Sequence, residues 1–144
     1  MIKKELFDIP VLGSGFRIAE PIAIDRSNSM SVKQIILKGT HKIQQGISMV
    51  IFPEGTRVNP GRSVLLKPSA AKLALNCSVP IVIIVHNAGY FWPKGFWFKK
   101  PGVIKVKVLE VLDANKIGEF GDARQLTKYI ETIMNSEKDL LIDE

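Results

Sequence analysis

Two kinds of apolar spacing alternate along these 144 residues. At 31–34 the sequence S-V-K-Q has the Ser-x-x-Gln form of a capping box. Val32, Ile35, Ile36, Gly39 and Ile43 then follow at helical spacing, and Gly46 is a natural stop. Residues 47–52 (I-S-M-V-I-F) are a short apolar run that predicts a strand buried on both faces. Residues 68–77 (P-S-A-A-K-L-A-L-N-C) are rich in helix formers, with proline tolerated in the first turn. Residues 80–85 (P-I-V-I-I-V) predict a second buried strand. Over 103–111, Lys105 and Lys107 are opposed to Ile104, Val106 and Val108, which predicts a strand with one wet face. Over 122–136, Leu126, Ile130, Ile133 and Met134 share one helical stripe.

Helix, buried strand, helix, buried strand predicts an α/β fold: a mostly parallel central sheet flanked by helices. The runs 47–52 and 80–85 are expected side by side and parallel, because the intervening helix returns the chain to the same sheet edge. With no repeat, low-complexity tract or long linker, residues 1–144 read as one domain with enough chain to bury a core.

Composition narrows the chemistry only slightly. There are 20 Lys and Arg against 14 Asp and Glu, a formal charge of +6 that suits an anionic partner: nucleic acid, a phosphorylated metabolite or an acidic lipid surface. Cys77 is the only cysteine, which leaves no disulfide framework or cysteine-based metal site and fits a reducing compartment. No signal peptide is visible behind Met1-Ile-Lys-Lys. The longest apolar run, 79–85, is far short of the ~20 residues that span a bilayer.

The chemistry concentrates at 52–57, F-P-E-G-T-R. In open α/β sheets ligands sit beyond the carboxyl ends of strands, which is where Glu54, Gly55, Thr56 and Arg57 fall. Pro53 ends the ladder and Gly55 permits a turn or a close approach to a ligand. Arg57 offers a planar fork of donors suited to a carboxylate or phosphate. An ordinary strand-to-loop turn with a surface Glu–Arg pair fits these residues equally well. No P-loop is present, and Gly13-Ser14-Gly15 is too short for a nucleophile elbow or a dinucleotide fingerprint. His41 falls on the polar part of a helix and reads as solvated. His86, at a strand end, lacks an acid at a convincing spacing and reads as structural. No complete catalytic set appears.

The F-P-E-G-T-R hexapeptide resembles the third motif of the glycerolipid acyltransferases, specifically the 1-acyl-glycerol-3-phosphate acyltransferases that make phosphatidic acid. Other blocks agree in order and spacing. K-K-E-L at 3–6, followed by Ile9-Pro10 and Gly13, resembles the family's K-x-E-L segment, and P-I-A-I-D-R at 21–26 resembles its second motif. V-P-I-V at 79–82 resembles the fourth, with Ile83 where the family usually repeats proline. H-N-A-G at 86–89 with F-W-P at 91–93 looks like the bacterial branch. The resemblance reaches to about Val111.

The resemblance implies transfer of an acyl group from acyl-CoA or acyl carrier protein to lysophosphatidic acid, with no cofactor beyond that co-substrate and no metal. It implies phosphate binding by Arg57 and Lys3, with Lys4 as the alternative register, and support from Arg26. Glu54 would position Arg57 or a substrate hydroxyl, and Gly55 and Thr56 complete the motif. The family's catalytic H-x-x-x-x-D would lie a few tens of residues before Lys3, outside these 144 residues. Neither histidine replaces it, since Gly46 stands five residues after His41 and Phe91 five after His86. The expectation is a C-terminal acyltransferase portion lacking catalytic residues and any N-terminal membrane segment, peripheral on the cytoplasmic face of a bacterial inner membrane. A non-catalytic phosphate- or lipid-binding module is the alternative. A nucleic-acid binder has only the charge and the segment 90–100 in its favour, because the basic residues are dispersed. That segment holds six aromatics and three lysines; it suits core packing with solvated lysines or, with a lipid substrate, an anionic headgroup layer.

Overall fold

The computed structural model describes residues 2–3, 22–24, 31–56, 58–59, 62–93 and 99–137. The chain divides into two compact units, Met1–Ile51 and Phe52–Glu144.

In the first unit, β1 (Ile2–Lys3) pairs in parallel with β2 (Ala23–Ile24), Ile2 opposite Ala23 and Lys3 opposite Ile24. Helix α1 (Ser31–Gln44) ends as its sequence predicts. Gly46 takes φ +77°, its N–H donates to the Ile43 carbonyl at 2.9 Å, and the Ile47 N–H reaches the Lys42 carbonyl at 3.0 Å. These two bonds satisfy terminal carbonyls in a Schellman arrangement, whose left-handed residue favours glycine.

The second unit carries the main core. Helix α2 (Ser69–Cys77) leads to β3 (Ile81–His86), then a single turn α3 (Ala88–Phe91), β4 (Val106–Leu112), the short α4 (Ala114–Gly118) and α5 (Ala123–Glu137). Ala71 and Ala74 of α2, Ile83 of β3, Leu112 of β4, Ile117 of α4, and Leu126 and Ile130 of α5 form one buried cluster. Ile133 and Met134 pack against it, as the helical stripe predicts. The alanines let α2 approach closely, while the branched residues fill the layer at close packing. Both short connections into helices are capped by aspartate. Asp113 Oδ1 accepts from the Lys116 N–H at 2.8 Å, and Asp122 Oδ1 accepts from the N–H groups of Arg124 and Gln125 at 2.7 and 2.8 Å.

The α/β class holds, but the strand pairing departs from the mostly parallel sheet expected. β3 pairs antiparallel with β4, Ile81 opposite Leu112 and His86 opposite Val106. Residues 47–52 join no strand, so the expected parallel pairing of 47–52 with 80–85 is not made. Nor is that run buried: Val50 and Phe52 are 73% and 62% exposed. Strand β3 is likewise buried on one face only, with Ile83 and Val85 inward and Val82 and Ile84 outward. An apolar run states that a segment is fit for burial; which neighbour covers it is a tertiary matter.

Strand β4 also departs from the expected single wet face, since Val106, Lys107 and Val108 are all exposed. Val106 and Val108 are 65% and 56% exposed, whereas Lys107 reaches Glu137 of α5 at 2.7 Å. The cause is a bulge: Ile83 pairs with Glu110 and Ile84 with Val108, so Leu109 is an extra residue. One inserted residue reverses the alternation, carrying Leu109 and Leu112 towards the helices and leaving the valines outside.

Candidate anion-binding turn and its surroundings

The sequence F-P-E-G folds locally into a tight turn. The Gly55 N–H donates to the Phe52 carbonyl at 3.1 Å, with Pro53 at the position whose fixed φ favours such turns. Gly55 takes φ +67°, a left-handed conformation natural to glycine. Pro53, Glu54 and Gly55 are half-buried, and Thr56 is exposed. The turn is held from the far side by the Lys67 N–H, which donates to the Pro53 carbonyl at 2.9 Å. The preceding Leu66 N–H donates to Glu131 Oε2 on α5 at 2.8 Å. The hydrogen-bonded core thus fixes both ends of the excursion from Pro53 to Lys67.

Of the residues the sequence nominates, Glu54, Gly55 and Thr56 lie on this turn. Lys3 lies in β1, with its backbone opposite Ile24, two residues before Arg26. Arg26, Arg57 and Lys4 lie outside the described residues, and with them the expected convergence of the basic groups. Lys67 is a residue that sequence reasoning missed. A Cβ built on Gly55 would stand 2.9 Å from Lys67 Cε, 3.0 Å from its Nζ and 3.3 Å from its Cδ. The lysine therefore lies along the bare face of the glycine. No motif marks it, because the contact joins residues twelve apart in the sequence.

His86 is exposed at the end of β3. Its imidazole meets the Phe52 ring edge-on, and its Nδ1 is 3.3 Å from the Ala88 N–H that donates to it. His41 on α1 is exposed, with Nε2 3.2 Å from Gln45 Nε2. Asn87, which the sequence marks only as part of H-N-A-G, is buried. Its Oδ1 accepts from the Lys105 N–H at 2.9 Å, and its own N–H donates to the Lys105 carbonyl at 3.3 Å. This bracket ties the end of β3 to the approach of β4 and satisfies polar groups that burial would otherwise penalise.

The described part of the aromatic segment is partly packed and partly exposed. The Lys100 N–H donates to the Phe91 carbonyl at 2.8 Å, and Lys99 Nζ lies 4.5 Å over the Trp92 ring, within cation–π range. Trp92 is half exposed. A shallow cavity of about 220 Å³ is lined by Asn87, Tyr90, Phe91, Lys100 and Pro101. Beside it, a side chain on Gly102 would run 1.8 Å from a Phe91 ring carbon.

One charged cluster serves the fold. Glu110 accepts from Lys116 through Oε1 and from the Tyr129 hydroxyl through Oε2 at 2.9 Å. The Lys116 hydrogen bond, then that of Tyr129, holds the Glu110 carboxyl below its usual range, and the same bonds raise Lys116 and Tyr129. Asp122 is lowered by the backbone N–H groups of Gln125 and Arg124. Among the described residues, no group of three or more His, Cys, Asp or Glu is placed to hold a metal ion, and no helix is long and apolar enough to cross a membrane.

Comparison with known proteins places this turn in a family. Residues 1–87 match the family model described as Acyltransferase. Over 119 residues the chain is 37% identical to a 1-acyl-sn-glycerol-3-phosphate acyltransferase of Pseudomonas aeruginosa, covering 82% of this chain and 46% of that protein. A protein of the same description from Limnanthes alba is 35% identical over 115 residues, 78% of this chain and 41% of its own length. The crystal structure of the 1-acyl-sn-glycerophosphate (LPA) acyltransferase, PlsC, from Thermotoga maritima superposes with a TM-score of 0.80 at 25% identity, covering 99% of this chain and 56% of that one. The chain spans about half the length of the relatives it matches. With the family match extending over F-P-E-G-T-R and on to Asn87, the chain belongs to the acyltransferase family.

Proposed function

We propose that this chain is the phosphate-holding part of a 1-acyl-sn-glycerol-3-phosphate acyltransferase domain, acting in phospholipid synthesis on lysophosphatidic acid to give phosphatidic acid. The observation that carries this reading is the F-P-E-G-T-R turn, within a chain 37% identical over 119 residues to a relative of that description. In the reaction, the free hydroxyl of lysophosphatidic acid attacks the thioester carbonyl of acyl-CoA or acyl carrier protein. A base takes the hydroxyl proton, the tetrahedral intermediate expels the thiolate, and the proton passes to that sulfur. The products are phosphatidic acid and a free thiol.

This chain's share is positioning. Arg57, Arg26 and Lys3 (or Lys4) hold the phosphate, and Glu54 orients Arg57 or a hydroxyl, so that the nucleophile meets base and thioester at fixed geometry. Such fixation is worth several kcal/mol of a barrier, up to about 7–11 kcal/mol in the best intramolecular cases. The base itself belongs to the family's H-x-x-x-x-D, a pattern that occurs nowhere in the 144 residues. By itself, therefore, the chain binds the phosphate and does not turn over. Trp92 with Lys99 suits contact with an anionic headgroup layer, which supports a place at a membrane surface.

A second reading, a non-catalytic phosphate- or lipid-binding module, rests on the phosphate motif alone. One assay separates the two. Phosphatidic acid formation is followed with the 144-residue chain and with the chain joined to the part of the Pseudomonas aeruginosa relative outside the match. The enzyme reading expects product from the joined protein alone, and loss of at least tenfold in Arg57→Ala. A joined, folded protein that binds lysophosphatidic acid without forming product selects the module.

A further inference from the structure

We propose that Lys67 is a further anion-binding residue of the F-P-E-G-T-R turn, supplying a cation that no sequence motif marks. The inference rests on the phosphate site proposed above and adds a residue to it.

Three observations converge on this side chain. First, the last atoms of Lys67 run along Gly55, with Nζ 3.0 Å from where a Cβ would stand. The glycine thus has a second use besides its left-handed φ: it leaves room for an ammonium beside Glu54 and Thr56. Its own N–H is already committed to the Phe52 carbonyl, so the turn does not present that donor to a ligand. Second, the launch point of the side chain is fixed. The Lys67 N–H is bonded to the Pro53 carbonyl, the Leu66 N–H to Glu131, and Pro68 restricts the next φ. Third, among the described residues neither Lys67 nor Glu54 forms an ion pair. Among the described residues, then, no carboxylate is paired with this ammonium, which leaves it available to an external anion.

The chemistry suits a phosphomonoester. A dianion is better met by several cations, and an ammonium with three rotatable donors complements the planar fork of an arginine. Lys67 stands ten residues beyond Arg57 in sequence, yet folds back onto the residues that lead into it. The shared chemistry covers a lipid headgroup and a free phosphate ester, which the two probes below distinguish.

The test uses the 144-residue chain with two probes: phosphatidylcholine vesicles containing lysophosphatidic acid, and soluble glycerol 3-phosphate. Lys67→Ala, Lys67→Arg and, as a charge-matched control, Lys72→Ala on α2 are compared with the unaltered chain, each checked for folding by circular dichroism. We expect Lys67→Ala to weaken binding about five- to tenfold and flatten its salt dependence. Lys67→Arg should retain most of the affinity, and Lys72→Ala should stay within about twofold. Gly55→Ala crowds the ammonium out, so it should cost as much as Lys67→Ala, with the double variant no worse than either single one. An effect on vesicles alone assigns the lysine to the headgroup; an equal effect on glycerol 3-phosphate assigns it to the ester in any form. Equal losses in Lys67→Ala and Lys72→Ala overturn the proposal in favour of diffuse charge. Loss in Arg57→Ala with none in Lys67→Ala overturns it while leaving the phosphate site intact. An unaltered chain that binds neither probe sinks the site and Lys67 with it.

Discussion

Phe52 and His86 meet edge-on, their ring centroids 6.3 Å apart and their planes inclined at 70°. The first residue ends the apolar run and opens the F-P-E-G turn; the second ends β3. The exposed imidazole accepts from the Ala88 N–H through Nδ1. General-base help is worth about 10²–10⁴ in rate. In the joined protein, His86→Ala and His41→Ala should each lower phosphatidic acid formation by less than about tenfold. A larger loss in either, with the fold intact, would make that histidine the working base.

Gly46 and Gly55 share a left-handed backbone but not a neighbourhood. A Cβ on Gly46 meets nothing within 4 Å, whereas one on Gly55 meets the end of Lys67. Replacing either by alanine should cost about 1–2 kcal/mol from backbone strain, since a lysine tip moves aside cheaply. Urea unfolding of both variants tests this. Only Gly55→Ala should also alter lysophosphatidic acid binding.

Core and outer-face apolar residues should respond very differently. Leu112 and Leu126 are fully enclosed, so truncation to alanine should cost about 2–5 kcal/mol through lost burial and a residual cavity. Val108→Thr, on the outer face, should change stability by less than about 0.5 kcal/mol. Shifts of the denaturation midpoint provide the comparison. Equal losses at the two kinds of site would mean that the outward valines are covered.

The Glu110 cluster sets a pH window. Its carboxyl is depressed by Lys116 and then Tyr129, so its contribution is present above the ordinary carboxylate range and is lost as pH falls through the lowered folded value. Lys116 and Tyr129 are raised, so their contributions are present below their ordinary values and lost as pH rises through the folded ones. Thermal midpoints should therefore be flat at neutral pH and fall at both extremes. Tyr129→Phe should shrink the acid-side loss and have a smaller effect at neutral pH than Leu112→Ala.

Several local features were legible because their causes are local. A capping pattern, a terminal glycine and a 3.6-residue stripe are confined to a few turns, and α1, α2 and α5 appear where those signals lie. The F-P-E-G turn follows from a proline and a glycine three residues or fewer apart. The family, too, was legible, since motif order and spacing are properties of the chain.

By itself, then, the sequence determined where α1, α2 and α5 form, which segments are apolar enough to bury, and the family to which the chain belongs. Tertiary structure alone decided the rest. β3 took β4 as an antiparallel partner, Leu109 bulged and turned the valines outward, and Lys67 came to rest on Gly55. Each of these depends on contacts between residues far apart in the chain. Hydrophobic periodicity records how much of a segment can leave water, but a one-residue change of register exchanges its two faces without altering the pattern. The choice among partners and registers is made by the packing of whole elements around Leu112, Ile117 and Leu126, where the enclosed volume leaves room for one arrangement.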